Sequence, residues 1–277
     1  MSGEEAANLA EPVRVVSDLH LAHPSCVIGG IRELQPLVHG AATVVFNGDT
    51  IEASSAAWKP RGLERLEELK DLCAAEGARP VFLPGNHDPD ISDRGWVRLA
   101  GEAILVTHGH MIYEAGAPWS YEYLERKQRV REILAGAHDS GHDLGKRHQS
   151  AQRIARALAP GCLRRMSRRK RFYVLSALWP PERLFNIARV WCTHVREARG
   201  LVERFAPETR VLLYGHFHRS GVWRRNGRWF CNTGAFMPGI APLVAEWAEA
   251  RLVVRRVERS PAGFSPGRLV ASIIPES

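Results

Sequence analysis

The chain has 277 residues, 45% of them apolar and 25% charged, the composition of a globular protein with a substantial core and not of a disordered, collagen-like or disulfide-stapled chain. At roughly 150 residues per domain, that length suits one large domain or one domain with a sizeable insertion. Lys and Arg number 38 against 30 Asp and Glu, a net charge of +8, which points to an acidic partner.

From the N-terminus, MSGEEAANLAEPVR is acidic and has no apolar run, so no secretory leader is expected. Five short apolar, largely β-branched runs follow at intervals: Val13–Val16, Thr43–Phe46, Pro80–Leu83, Ala103–Val106 and Val211–Tyr214, each with the length and composition of a strand. Between the second and third, Leu63, Leu66, Leu69 and Leu72 predict a helix over Leu63–Ala75, stopped by Gly77 and Pro80. Strands alternating with helices indicate an α/β layered core. Near the end, 221–228, 229–231 and 252–257 read as consecutive strands, with Asn226-Gly227 as a hairpin turn.

Residues 121–205 differ in kind. They hold 19 Lys and Arg against 8 Asp and Glu, a net +11, while the remaining 192 residues carry −3. Leu184, Phe185, Ala188, Trp191, Cys192 and Val195 recur at helical spacing after Pro180-Pro181. Arg164, Arg165, Arg168, Arg169, Lys170 and Arg171 place six cations in eight residues, next to Leu163, Met166, Phe172 and Trp179. Such a run is either a solvated helix face or a surface for lipid headgroups or another polyanion. The expected organisation is therefore an α/β core, 1–118 and 206–277, interrupted by a basic helical insertion over 119–205. The five cysteines form no C-x-x-C pair, as expected of a reducing, cytoplasmic setting.

The chemistry follows the strands. Asp18-Leu19-His20 ends the first run, Gly48-Asp49 the second, Gly85-Asn86-His87-Asp88 the third, Thr107-His108-Gly109-His110 the fourth and Gly215-His216-Phe217-His218 the fifth. Residues two apart at a strand end point the same way, and ligand sites of α/β sheets lie beyond the strand ends. Seven imidazole, carboxylate and amide donors are too many for one ion and suit two sharing a bridge, with Mn, Fe, Co or Zn fitting the donor set. Two ions about 3.5–4 Å apart form a clamp for in-line displacement at phosphorus.

This ordered series resembles the calcineurin-like metallophosphoesterases. The resemblance implies a four-layer αββα sandwich with one ion on Asp18, His20, Asp49 and His218. The second ion would lie on Asp49, Asn86, His108 and His216, and a hydroxide between the two would attack the phosphoester substrate. His87 would then be the catalytic imidazole that protonates the leaving oxygen. The family often carries Gly-Asp-x-x-Asp, whose last Asp orients that imidazole; here the motif is Gly48-Asp49-Thr50-Ile51-Glu52, so Glu52 takes the position. His110 and Asp88 are expected behind the ligands, and Asn232-Thr233-Gly234 either closes the site floor or forms a turn. His23, His39, His138, His142, His148 and His194 lack a motif and are expected in surface or loop roles.

Within the superfamily, a helical insertion between the fourth and fifth motifs is similar to the UDP-2,3-diacylglucosamine diphosphatases of lipid A synthesis. That branch implies Mn, a nucleotide-linked lipid substrate yielding UMP and a lipid phosphate, and peripheral attachment to the cytoplasmic face of an anionic inner membrane. Arg164, Arg165, Arg168 and Arg169 would be the substrate-binding cations. The alternatives are a nuclease or cyclic-nucleotide phosphodiesterase that uses the basic segment on nucleic acid, or a non-catalytic binding module.

Overall fold

The protein is described by a computed structural model over residues 9–136, 141–159 and 181–275. In chain order the elements are β1 (Val13–Val16), a 3₁₀ turn (Ile31–Leu34), α1 (Gln35–Val38), β2 (Thr43–Asn47), α2 (Lys59–Ala75), β3 (Arg79–Leu83), β4 (Val97–Leu99) and β5 (Ile104–Val106). There follow α3 (Tyr121–Glu125), α4 (Lys127–Ala135), α5 (Leu144–Leu158), α6 (Pro181–Phe205), β6 (Val211–Tyr214), β7 (Gly221–Arg225), β8 (Arg228–Asn232), β9 (Leu243–Ala248), β10 (Arg251–Ser260) and β11 (Gly263–Ile273).

Two mixed sheets result, in the orders β11-β10-β9-β1-β2-β3 and β4-β5-β6-β8-β7. β1, β2 and β3 run parallel, as do β5, β6 and β8, so the five loops that carry the chemical motifs leave the sheets at C-terminal strand ends. The sheets face each other. Val13, Val15, Val45 and Leu83 of the first meet Val106, Val211, Leu213 and Cys231 of the second in one buried cluster.

The alternate residues of the same strands point outward. Val44 and Phe46 pack under Leu37 and Val38 of α1 and Leu66, Leu69 and Cys73 of α2. On the other side Leu105, Leu212, Tyr214 and Phe230 are covered by Leu144 and Ala151 of α5 and Val190, Ala198, Leu201 and Val202 of α6. Strands buried on both faces read as continuous apolar runs, which is why β1, β2, β5 and β6 stand out in the sequence. The order of layers is helix, sheet, sheet, helix.

Two details differ from expectation. In α2 the buried stripe is Gly62, Leu66, Leu69 and Cys73, while Leu63 is 45% exposed. Positions three apart drift by about 60° per step at 3.6 residues per turn, so a run of leucines every third residue cannot stay on one face. The helix also begins four residues before the leucines, with Pro60 in its first turn. The segment 119–205 is helical where it is described, and α5 and α6 form the outer layer over the second sheet and do not stand apart from it. The run Arg164–Arg171 and His138 lie outside the described residues. The turn at Asn226 and Gly227 has positive φ at both positions (49° and 75°), as a two-residue hairpin requires.

Candidate metal centre

Five of the seven expected ligands lie in the left-handed backbone region: Asp18 at φ 52°, His20 at 49°, Asp49 at 48°, His216 at 68° and His218 at 49°. Each such residue costs of order 1–3 kcal/mol and persists only where the surroundings hold it, commonly at functional sites. What holds them here is a lattice of backbone bonds between loops. The amides of Asp18 and His20 donate to the carbonyls of Gly48 and Asp49 at 3.0 and 2.8 Å, and that of Gly215 to His108 at 2.9 Å.

The side chains converge. Asp18 Oδ1 lies 3.3 Å from His218 Nε2 and 3.9 Å from His20 Nε2, and the two imidazole nitrogens are 3.1 Å apart. Asp49 Oδ2 lies 3.3 Å from His108 Nε2 and 3.8 Å from His20 Nε2, so Asp49 reaches both sets of donors. Three overlapping groups among the described residues could hold a cation: Asp18, His20, His218; Asp49, His108, His216; and His20, Glu52, His87. Asn86, from the same loop as His87, has a buried Oδ1 without a partner.

Whether the residues fit divalent ions is decided by their orphan atoms, their cradle and their field. His108 donates Nδ1–H to the Asn47 carbonyl at 2.9 Å, which fixes its tautomer and leaves Nε2 a lone pair; buried Nε2 of both His108 and His216 meets no partner. That is the arrangement of a metal-binding imidazole, whose other nitrogen is spoken for by the protein. The loops leave room for the carboxylates only because of two glycines. A Cβ on Gly85 would sit 2.2 Å from Asp49 Oδ1, and one on Gly215 would sit 2.0 Å from Asp18 Oδ2.

Burial raises the pKa of Asp49, yet the charges of His108, His87 and His20 outweigh it and hold the carboxyl well below the usual range. Burial lowers that of His108, and Asp49 and Asp18 reverse this, bringing it up to about 9. Carboxylates that stabilise positive charge on a buried imidazole would equally stabilise a metal cation bound in its place. The donor set fits two divalent ions.

Beside the ligands, His87 Nδ1 lies 2.8 Å from Glu52 Oε2, and its backbone N–H donates to Asp49 Oδ1 at 2.8 Å. Its side chain is 33% exposed while Glu52 is buried. Burial lowers the His87 pKa, but Glu52 and Asp49 more than compensate and place it well above the ordinary value. Ser54 Oγ holds the other Glu52 oxygen at 2.6 Å. Asp88 accepts from the amides of Asp49, Thr50, Ile51 and Gly85 at 2.7–3.2 Å, locking the second loop to the third. Thr233 lies against Ser17 at 2.5 Å and Asn232 Nδ2 donates to the Gly215 carbonyl at 2.8 Å, so Asn232-Thr233-Gly234 braces the loops that carry Asp18 and His216.

Several histidines stand where the sequence placed none. His148 of α5 and His194 of α6 are buried, not on the surface, because both helices press onto the second sheet. His148 packs 5.8 Å from His110, itself buried 5.6 Å from His108. His194 Nδ1 lies 2.9 Å from the Tyr214 hydroxyl. His23 is half-buried with its ring 5.9 Å from that of His20, and the His23–His20 spacing of three at a strand end was the available signal. His39 and His142 are exposed, as expected.

No family model matches the chain, and no curated protein matches it. Among solved structures, a dimetal phosphatase from Danio rerio aligns at 11% identity and TM-score 0.49 over 96% of this chain and 100% of that one. The phosphoesterase YfcE from E. coli aligns at 14% identity and TM-score 0.43 over 95% and 99%. Vps29 from Entamoeba histolytica, complexed with Zn²⁺, aligns at 15% identity and TM-score 0.42 over 94% and 97%.

Proposed function

We propose that the protein is a dinuclear metal-dependent phosphohydrolase acting on a nucleotide-linked lipid, in the manner of UDP-2,3-diacylglucosamine, to give UMP and a lipid phosphate. The observation that carries the hydrolase reading is the convergence of donors from five separate loops with Asp49 between the two groups and buried orphan nitrogens facing inward. One ion is assigned to Asp18, His20, Asp49 and His218, the other to Asp49, Asn86, His108 and His216. Mn suits this mixture of imidazole, carboxylate and amide, and Fe, Co or Zn fit it as well.

These residues would hold the two ions, whose chemistry would be Lewis-acid polarisation of a phosphoryl oxygen and acidification of water at neutral pH. The chain's own groups do the rest. Glu52 takes the His87 Nδ1–H, so the imidazole is fixed with Nε2 as its proton-bearing tip, and its raised pKa keeps that proton in place until the leaving oxygen needs it. Asp88 and the Thr233–Ser17 contact hold the loops, so that ligand positions do not depend on the substrate.

The lipid portion rests on different features. Residues 121–205 carry net +11, and a cation near an anionic bilayer gains about 1 kcal/mol, which suits a protein held at the cytoplasmic face of a membrane. On α6, Leu184, Phe185 and Trp191 are 46%, 69% and 43% exposed, an apolar surface beside the site. No helix among the described residues is long and apolar enough to cross a membrane.

The test is a substrate panel with Mn: UDP-2,3-diacylglucosamine, a cyclic nucleotide, single-stranded DNA and an aryl phosphodiester. Release of UMP from the first, with little turnover of DNA, supports the reading; the reverse replaces it with a nuclease. Changing Arg164, Arg165, Arg168 and Arg169 to Glu is expected to abolish binding to anionic vesicles and raise KM for the lipid substrate. Loss of DNA binding with vesicle binding intact would favour nucleic acid.

A further inference from the structure

The half-buried indole of Trp119 has no part in the chemistry above, yet it lies over a ligand. Its ring centre is 5.0 Å from that of His216 and 5.7 Å from that of Phe217. The chain around it is pinned from α6: Arg183 Nε donates to the Trp119 carbonyl at 3.1 Å and Asn186 Nδ2 to the Pro118 carbonyl at 3.3 Å. Phe217, which supports the indole, is itself held through its carbonyl by Trp191 Nε1 at 3.0 Å. Ser120 then caps α3, with its hydroxyl accepting from the Tyr123 amide. The ring is therefore preorganised at the edge of the metal centre, which lowers the entropy cost of binding on it.

We infer that Trp119 is a stacking platform for a planar ring of the substrate, the nucleobase of a nucleoside diphosphate, while the phosphoryl group sits among the ligands. The inference rests on the phosphohydrolase reading and specifies which end of the substrate lies where. The indole centre lies 5.0 Å from the His216 ring, so a base stacked on it would sit beside a phosphoryl group held among the ligands. The neighbouring surfaces are flat as well: the Arg183 guanidinium lies 4.5 Å above the Tyr121 ring. Flat aromatic and guanidinium faces suit a planar partner better than a flexible methylene chain, for which the exposed Leu184 and Phe185 offer the rougher apolar surface. Base–aromatic stacking has no hydrogen-bond requirement, so the platform selects for a base without choosing among bases.

The experiment compares wild type, Trp119→Leu and Trp119→Phe on three diphosphates that share one scissile bond type: uridine diphosphate hexyl ester, ribose 5-diphosphate hexyl ester and ribose 5-diphosphate dodecyl ester. Wild type is expected to prefer the uridine compound over its base-free counterpart. Trp119→Leu should reduce that preference by about 5- to 150-fold, through KM and not kcat, with two ions still bound. Trp119→Phe should restore most of it, because a phenyl face also stacks. An unchanged preference in Trp119→Leu overturns the platform, and so does loss of an ion, which would make the indole a support for His216. If the variant loses its preference for the longer chain instead, the ring belongs to the lipid. Failure of wild type to cleave any of the three overturns the diphosphate reading, whereas cleavage of all three with no base preference overturns the platform alone.

Discussion

Replacing Gly215 with Ala should remove one metal ion and spare the other. A Cβ at position 215 would stand 2.0 Å from Asp18 Oδ2, 2.4 Å from Ser17 Oγ and 2.9 Å from Ser17 Cβ, where ordinary contact begins at 3.4 Å. The Asp18 carboxylate must therefore retreat by about 1.4 Å, against a tolerance of about 0.2 Å in metal–ligand distances. It cannot retreat freely, since both oxygens accept from the His216 amide at 3.1 Å and Ser17 Oγ holds Oδ2. Overpacking of this kind costs about 1–3 kcal/mol of stability, so the variant should still fold.

Removing even an outer partner of a metal ligand lowers affinity about 10–100-fold, and displacing the ligand itself should cost at least the upper end of that range. Gly85→Ala makes the complementary case. Its Cβ would meet Asp49 Oδ1 at 2.2 Å and the Asp49 amide nitrogen at 2.4 Å, and Asp49 faces both donor groups. Calorimetric titration of metal-free protein with Mn should show two sites in wild type, one in Gly215→Ala and none of comparable strength in Gly85→Ala. Two sites of wild-type affinity in either alanine variant would refute the steric cradle, and equal loss in both would refute the assignment of Asp49 as the shared ligand.

Other outcomes follow from the same geometry. His87→Ala should lower turnover by about 10²–10⁴-fold with metal content intact, and less on aryl phosphates, whose leaving groups need little protonation; equal loss on good and poor leaving groups argues against the role. Chelation should abolish activity and lower Tm, since ions present at 100-fold their Kd contribute about 2.7 kcal/mol; a Tm indifferent to chelator would show that no ion is bound to the fold. Burial, aided by Arg156 and Arg219 respectively, lowers the pKa of His148 and His194 to about 4, while the unfolded chain takes up these protons near 6.5. Stability is thus full above pH 6.5 and falls as pH drops towards 4, by about 2 kcal/mol per histidine at pH 5. Denaturant titrations should show His148→Phe losing less stability between pH 7 and 5 than wild type, and parallel curves would contradict this.

The candidate ligands were legible in the sequence because each is tied to a local event. A strand buried on both faces is a visible apolar run, and the loop after it carries Asp, Asn or His at fixed short spacing, often behind a glycine. Which side chains partner one another at the candidate site was legible only as types. That Glu52 reaches His87 at 2.8 Å depends on how β2 and β3 pair in register, and that Asp49 reaches His20 and His108 depends on the β1–β2 pairing and on the packing of the two sheets. Strands were missed where local signals conflicted with their setting. β11 contains Pro266-Gly267, which reads as a turn but is tolerated on an edge strand with register shifts. In β9, Glu246 interrupts an apolar run because it pairs across the sheet with Arg14 at 2.5 Å.

The sequence by itself determined the layered α/β class, the order of the five motif-bearing loops and the types of side chain they carry, since these depend on residues within one strand and its following loop. Only the tertiary structure decided which face of α2 is buried, that α5 and α6 close the second sheet and bury His148 and His194, and that Trp119 meets His216 from 97 positions away in the chain. Contacts of that kind arise from packing between elements, and no short-range pattern of residues encodes them.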